Sequence, residues 1–160
     1  MDILWATMAE PELHHALSRF VAHAIGGPDR DFGESVSMGV FHGHKLIAAV
    51  VFHNWEPRAG VIELSAASVS KLWLTRPVFR QMFGYCFDRA GCQLAVLRVA
   101  AGNLPMRRIA KAYGFDEYIL PRLRGRDKDE AVLLLTDDKW RNNRFHARVT
   151  NGQAKSARTS

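Results

Sequence analysis

At 160 residues the chain is long enough for a single domain with a buried core, and its 48% apolar and 24% charged residues match ordinary globular proteins. Its longest apolar runs, such as 46–52, are far too short to span a bilayer, and no basic-then-apolar leader opens the sequence. All 16 acidic residues precede Lys139 and are matched there by 16 Lys and Arg, so the formal charge of +6 comes from Lys139, Arg141, Arg144, Arg148, Lys155 and Arg158.

The first element is a helix over 9–25, where Leu13, Leu17, Phe20, Val21 and Ile25 recur at helical spacing and Pro11 suits a first turn. His14 and His15 fall on adjacent faces of it and read as exposed decoration, with His23 out of line with either. "GGPDRDFGE" breaks the helix. "SMGVFHGHKLIAAVVFHNW" reads as two strands around a tight "HGH" turn, "EPRAG" turns the chain again, and 61–69 supplies a third strand. A helix over 75–90 follows, capped by Thr75 or Arg76 and stopped by Gly91. "CQLAVLRVA" (92–100) is a continuous apolar strand of the kind buried on both faces.

Next comes "NLPMRRIAKAYGF". Met106, Ile109, Ala110 and Tyr113 form a buried helical stripe, and Arg107, Arg108 and Lys111 lie off it. Asn103 is placed to cap this helix, Pro105 sits in its first turn, and Gly114 fits a left-handed stop before Phe115 returns to the core. "FDEYILPRL", a charged turn and "AVLLLT" close the body as a strand pair. The order is thus helix, three strands, helix, strand, helix and two strands. It implies one α+β domain over 1–140, a mixed and mostly antiparallel sheet with helices against it.

Two cysteines, Cys86 and Cys92, make no disulfide framework, and a reduced, cytoplasmic protein is the simpler expectation. The tail over 141–160 is basic and poor in large apolar residues, so it is expected to be disordered. It suits a polyanion such as nucleic acid or an acidic partner; a merely solubilising end is the alternative.

A strand, then Asn103, then a helix ending in Gly114-Phe115, taken with the hairpin, the acidic strand "VIELS" and the closing strand pair with its Trp140, resembles the GNAT acetyltransferase pattern over roughly 9–140. The resemblance implies acetyl-CoA as co-substrate and direct acetyl transfer to an amine acceptor, which is a small molecule, a protein or a nucleobase. In that family the sheet strands splay after the acidic strand, leaving unpaired amides for the pantetheine arm. Glu63 matches the family's acidic strand residue and is the candidate general base. Asn103 matches the residue that contacts the cofactor arm, and Arg108 on the cationic side of that helix is a candidate for its phosphates.

The sequence departs from the family in two places. The Gly-rich loop that cradles pyrophosphate is replaced by "SVSKLWLTRPVFRQMF", in which Pro77 has no amide to give. Leu72, Trp73, Leu74, Thr75, Arg76 and Arg80 are the cofactor candidates there, with Arg76, Arg80 and free amides around Thr75 and Val78 expected to stand in for the loop. The family's usual acid position is Ala110; Tyr113, one turn on, is the remaining candidate, beside a packing role.

His53, Trp55 and Ser65 are candidate substrate contacts, with Ser68 as further polar lining. His42, His44 and His53 near one hairpin lack fixed ligand spacing, so no metal is expected. Two alternatives stand beside the acyltransferase. One is a nucleic-acid-modifying enzyme, since the glycine-poor segment and basic tail loosely resemble the phage Mom-like branch. The other is a GNAT-shaped binding module without a cofactor. No membrane partner is expected, and the oligomeric state is open.

Overall fold

The structure, a computed structural model, describes residues 1–143. The fold is α+β, with a mostly antiparallel sheet and flanking helices as expected, and the chain gathers into two compact units, the first Met1–Cys92 and the second beginning at Gln93. From Arg144 onward the expected basic tail lies outside the described residues.

The first unit holds β1 (Asp2–Ala6), α1 (Pro11–Ala24), β2 (Val36–His42), β3 (Lys45–Glu56), β4 (Val61–Ser68) and α2 (Arg76–Gly84). Its strands pair antiparallel in chain order, β1 with β2, β2 with β3 and β3 with β4. β1 is absent from the expected order, so the described residues form seven strands where six were expected. On one face of this sheet, Leu17, Val21 and Ala22 of α1 pack with Ala6, Phe32, Ala49 and Val51. On the other, Trp5 and Phe52 stack at 5.4 Å between ring centres and Tyr85 closes the cluster at 5.2 and 4.9 Å. Gly39 is where the sheet and α1 approach most closely: a Cβ there would lie 2.7 Å from Leu17 Cδ2 and 2.9 Å from Phe41 Cε2.

His14 is buried, not exposed as expected. It occupies the position one turn before Leu17 on the packed side of α1, where its ring meets Ser37 and Ser35. The helix expected over 75–90 is α2 continued by a π-helical turn, Tyr85–Arg89, in which the Ala90 amide donates to the Tyr85 carbonyl. Gly91 ends it at φ 68°.

The second unit holds β5 (Leu94–Ala100), α3 (Leu104–Tyr113), β6 (Asp116–Gly125), β7 (Lys128–Thr136) and α4 (Asp137–Arg141). β7 pairs antiparallel with both β5 and β6. β5 is not buried on both faces: Ala95, Leu97 and Val99 are buried, while Leu94, Val96 and Arg98 between them are half-buried or exposed. This is the period-two pattern of a strand with one wet side. The α3 stripe is narrower than expected, since Ala110 and Tyr113 are buried but Ile109 is 40% exposed. β6 is the least buried strand, with Tyr118, Ile119, Leu120 and Leu123 exposed. After Leu120 its ladder with β7 breaks at Pro121 and at Arg122, which takes φ 67°.

Candidate functional site

Three residues singled out from the sequence meet on β3 and β4. His53 lies directly across from Glu63, and Ser65 is two residues along the same strand, so all three share a face. His53 Nε2 is 2.9 Å from Ser65 Oγ and 3.6 Å from Glu63 Oε2. Asn54 Nδ2 donates to Glu63 Oε1 at 3.1 Å. Phe32 covers the histidine, its ring centre 5.0 Å from the imidazole.

Burial divides their roles. His53 is 2% exposed, whereas Glu63 keeps 13% of its side chain exposed. A carboxylate fixed by an amide at one oxygen, with a histidine near the other, can take and hold a proton from a group that approaches it. Trp55, beyond the histidine, is 51% exposed. Burial pushes the thiols of both Cys86 and Cys92 up, and both are free cysteines.

The segment ahead of α2 is bound up in its own hydrogen bonds. Ser70 Oγ accepts from Leu72 N at 3.2 Å, Trp73 O from Thr75 N at 2.9 Å, Thr75 Oγ1 from Val78 N at 3.4 Å and Thr75 O from Phe79 N at 3.0 Å. Thr75 is therefore the cap, and Pro77 brings no amide of its own. This opening of α2 does not fit a backbone cradle for pyrophosphate. Trp73 is buried, Leu74 and Thr75 are half-buried, and Leu72, Arg76 and Arg80 are exposed.

In the second unit Asn103 caps α3 as expected, its Oδ1 accepting from Met106 N at 3.3 Å. Arg107 is taken up by Glu117, through Nε to Oε2 at 2.8 Å and Nη2 to Oε1 at 2.7 Å, and Lys111 approaches the same carboxylate at 3.5 Å. Arg108 is exposed. Tyr113 is a core residue: burial pushes its hydroxyl up to about 12, offset in part by a hydrogen bond from the Trp140 indole.

Sequence reasoning did not include Asn54, although an Asn beside a turn is a signal for a left-handed residue. Among the described residues no group of three or more His, Cys, Asp or Glu is arranged to hold a metal ion, and no helix is long and apolar enough to cross a membrane.

No protein-family model matches the sequence, and a search of curated proteins finds no match. Solved structures do match. The spermidine/spermine N-acetyltransferase SpeG from Vibrio cholerae aligns at 14% identity over 88% of this chain and 98% of its own, with a TM-score of 0.69. SpeG in complex with manganese ions aligns at 15% identity over 88% and 95%, with a TM-score of 0.68. A protein described as a probable acetyltransferase aligns at 17% identity and a TM-score of 0.57, over 66% of this chain and 64% of its own, so this chain spans less than two thirds of that one. The chain thus has the GNAT acetyltransferase fold.

Proposed function

We propose that the protein is an N-acyltransferase that uses acetyl-CoA and transfers the acetyl group directly to an amine. The observation that carries this is the Glu63 carboxylate, held by Asn54 and close to His53 on a strand of an acetyltransferase fold, with part of its side chain left exposed. An amine at neutral pH is mostly an ammonium and cannot attack until it gives up a proton. Glu63 accepts that proton. The amine nitrogen then bonds to the thioester carbonyl carbon, the carbon–sulfur bond breaks, and CoA leaves as a thiolate that takes up the second proton lost by the nitrogen. The products are an acetamide and CoA. Alignment of amine and thioester supplies most of the acceleration.

Asn103, Arg108 and the 72–80 segment are assigned to the cofactor, with Arg76 and Arg80 meeting phosphate charge by side chain, since the expected free amides of Thr75 and Val78 are engaged. Trp55 and Ser65 are assigned to the acceptor. His53 moves from substrate contact to support of Glu63, and Tyr113 is assigned to packing. An amine acceptor agrees with SpeG, whose named substrates are the polyamines spermidine and spermine.

The engaged amides before α2 also favour a second reading, a binding module of this fold that takes no CoA. Thermal unfolding with and without acetyl-CoA separates the two, because a ligand at a hundred times its Kd stabilises by about 2.7 kcal/mol. Release of free thiol from acetyl-CoA with a panel of amines then tests the chemistry. Stabilisation, amine-dependent thiol release and its loss in E63Q are expected; no shift and no thiol with any amine would overturn the proposal. The Mom-like alternative depends on a tail outside the described residues, and binding of duplex DNA that falls steeply with salt would favour it.

A further inference from the structure

Side chains alternate faces along a strand, so Asn54 should point away from the face that carries His53 and Glu63. Instead its amide reaches Glu63. The cause is a bulge. Between the pairs His53↔Glu63 and Glu56↔Val61, β3 places Asn54 and Trp55 against Ile62 alone. Asn54 takes φ 50° there, one of two described non-glycine residues at positive φ. Bulges re-aim side chains, and asparagine tolerates the left-handed region better than any residue but glycine.

We infer that Asn54 is the positioning residue for Glu63: the bulge turns its amide onto Oε1, which leaves Oε2 toward His53 and fixes the carboxylate in one orientation for proton transfer. This role rests on the acyl-transfer reading of Glu63. Glycine at 54 would satisfy the backbone and nothing else, so the presence of an amide that bonds Glu63 separates positioning from mere turn chemistry. The titratable group that the structure places against the carboxylate is His53 of β3; Asn54 and Ser65 are neutral.

The test compares N54G, N54D and E63Q with the native protein. N54G keeps the left-handed backbone and drops the donor; N54D keeps the side-chain shape and sets a second carboxylate beside the first. Thiol release at saturating acetyl-CoA should fall roughly tenfold in N54G, as for loss of a hydrogen bond to a charged group, with KM for acetyl-CoA unchanged. In N54D the acid limb of the pH–rate profile should move to higher pH. The NMR titration midpoint of the Glu63 carboxyl carbon should move the same way, and that readout does not depend on turnover. If E63Q is slow while N54G and N54D match the native protein in rate and midpoint, the role of Asn54 is overturned and the base survives. If E63Q is as fast as the native protein, the base reading fails and takes this role with it.

Discussion

His14 Nδ1 lies 2.7 Å from Ser37 Oγ, which fastens α1 to β2 through a buried polar contact. Its Nε2 is 3.0 Å from Ser35 Oγ, whose own hydrogen goes to Gly33 O. Ser37 Oγ likewise reaches Ala6 O at 3.4 Å, so each hydroxyl links the ring to a backbone carbonyl. Burial lowers the His14 pKa, opposed by nearby Glu10. A depressed folded-state value means that its stabilisation is full above the ordinary histidine range and is lost as pH falls through the lowered value. Urea midpoints should thus decline below pH 6 in the native protein. His14→Ala should be less stable at pH 7.5 by about 1–3 kcal/mol, because two buried hydroxyls lose a partner, and its midpoint should depend less on pH. An equal decline in both proteins would remove His14 from the account.

Gly39 should tolerate no side chain. Ala at 39 would press on Leu17, which is fully buried, and on the Phe41 ring, with Leu46 Cδ1 at 3.3 Å. Overpacking of this size destabilises by about 1–3 kcal/mol. In a Leu17→Ala background the added methyl has room, so a double-mutant cycle by chemical denaturation should show G39A costing less there than in the native protein. Additive effects would mean that the strand shifts instead.

Arg107 should matter to the second unit through Glu117. The guanidinium holds that carboxyl at about 2, through a two-point hydrogen bond, and its Nη1 also donates to Ala101 O at 2.6 Å. A depressed carboxyl contributes stability above the ordinary carboxylate range and loses it as pH falls toward 2. Arg107→Met should lower the thermal midpoint at pH 7, and the difference from the native protein should shrink as the pH approaches 2. A difference that is constant over this range would assign the effect to packing alone.

Arg76 and Arg80 carry an expectation of the acyltransferase reading that a glycine-rich loop would not. Phosphates met by exposed side chains are screened by salt. Acetyl-CoA affinity measured by calorimetry should weaken as salt rises, and R76A/R80A should bind roughly tenfold less tightly with a flatter salt response. Unchanged affinity in the double variant would move the cofactor elsewhere on the chain.

Elements with strong periodicity were legible in the sequence, and those shaped by a neighbour were not. α1, the hairpin and the Asn103 cap follow from spacing and cap chemistry at their own residues. β1 was not, because "DILWA" offers only five residues with a charge first, and its identity as a strand comes from pairing with β2. His14 could have been found: it stands at the same helical spacing from Leu17 and Val21 as the apolar stripe, and a polar residue inside such a stripe implies a buried partner. That Arg107 is held by Glu117 could not, since the two lie on separate elements. At the candidate site Glu63 and His53 were each visible, while the bulge that joins Asn54 to them exists only in the pairing of two strands.

β6 carries a liability and its own remedy. Among the described residues of the second unit it has one strand neighbour, β7, and its other edge carries amides and carbonyls beside the apolar Tyr118, Ile119 and Leu120. Such an edge invites other chains to add to it and grow fibrils. Pro121 withholds a donor, and Arg122 at φ 67° interrupts the ladder after Leu120 before it resumes at Gly125↔Lys128. A protein with these two residues made ordinary strand formers would keep its fold and lose its shelf life.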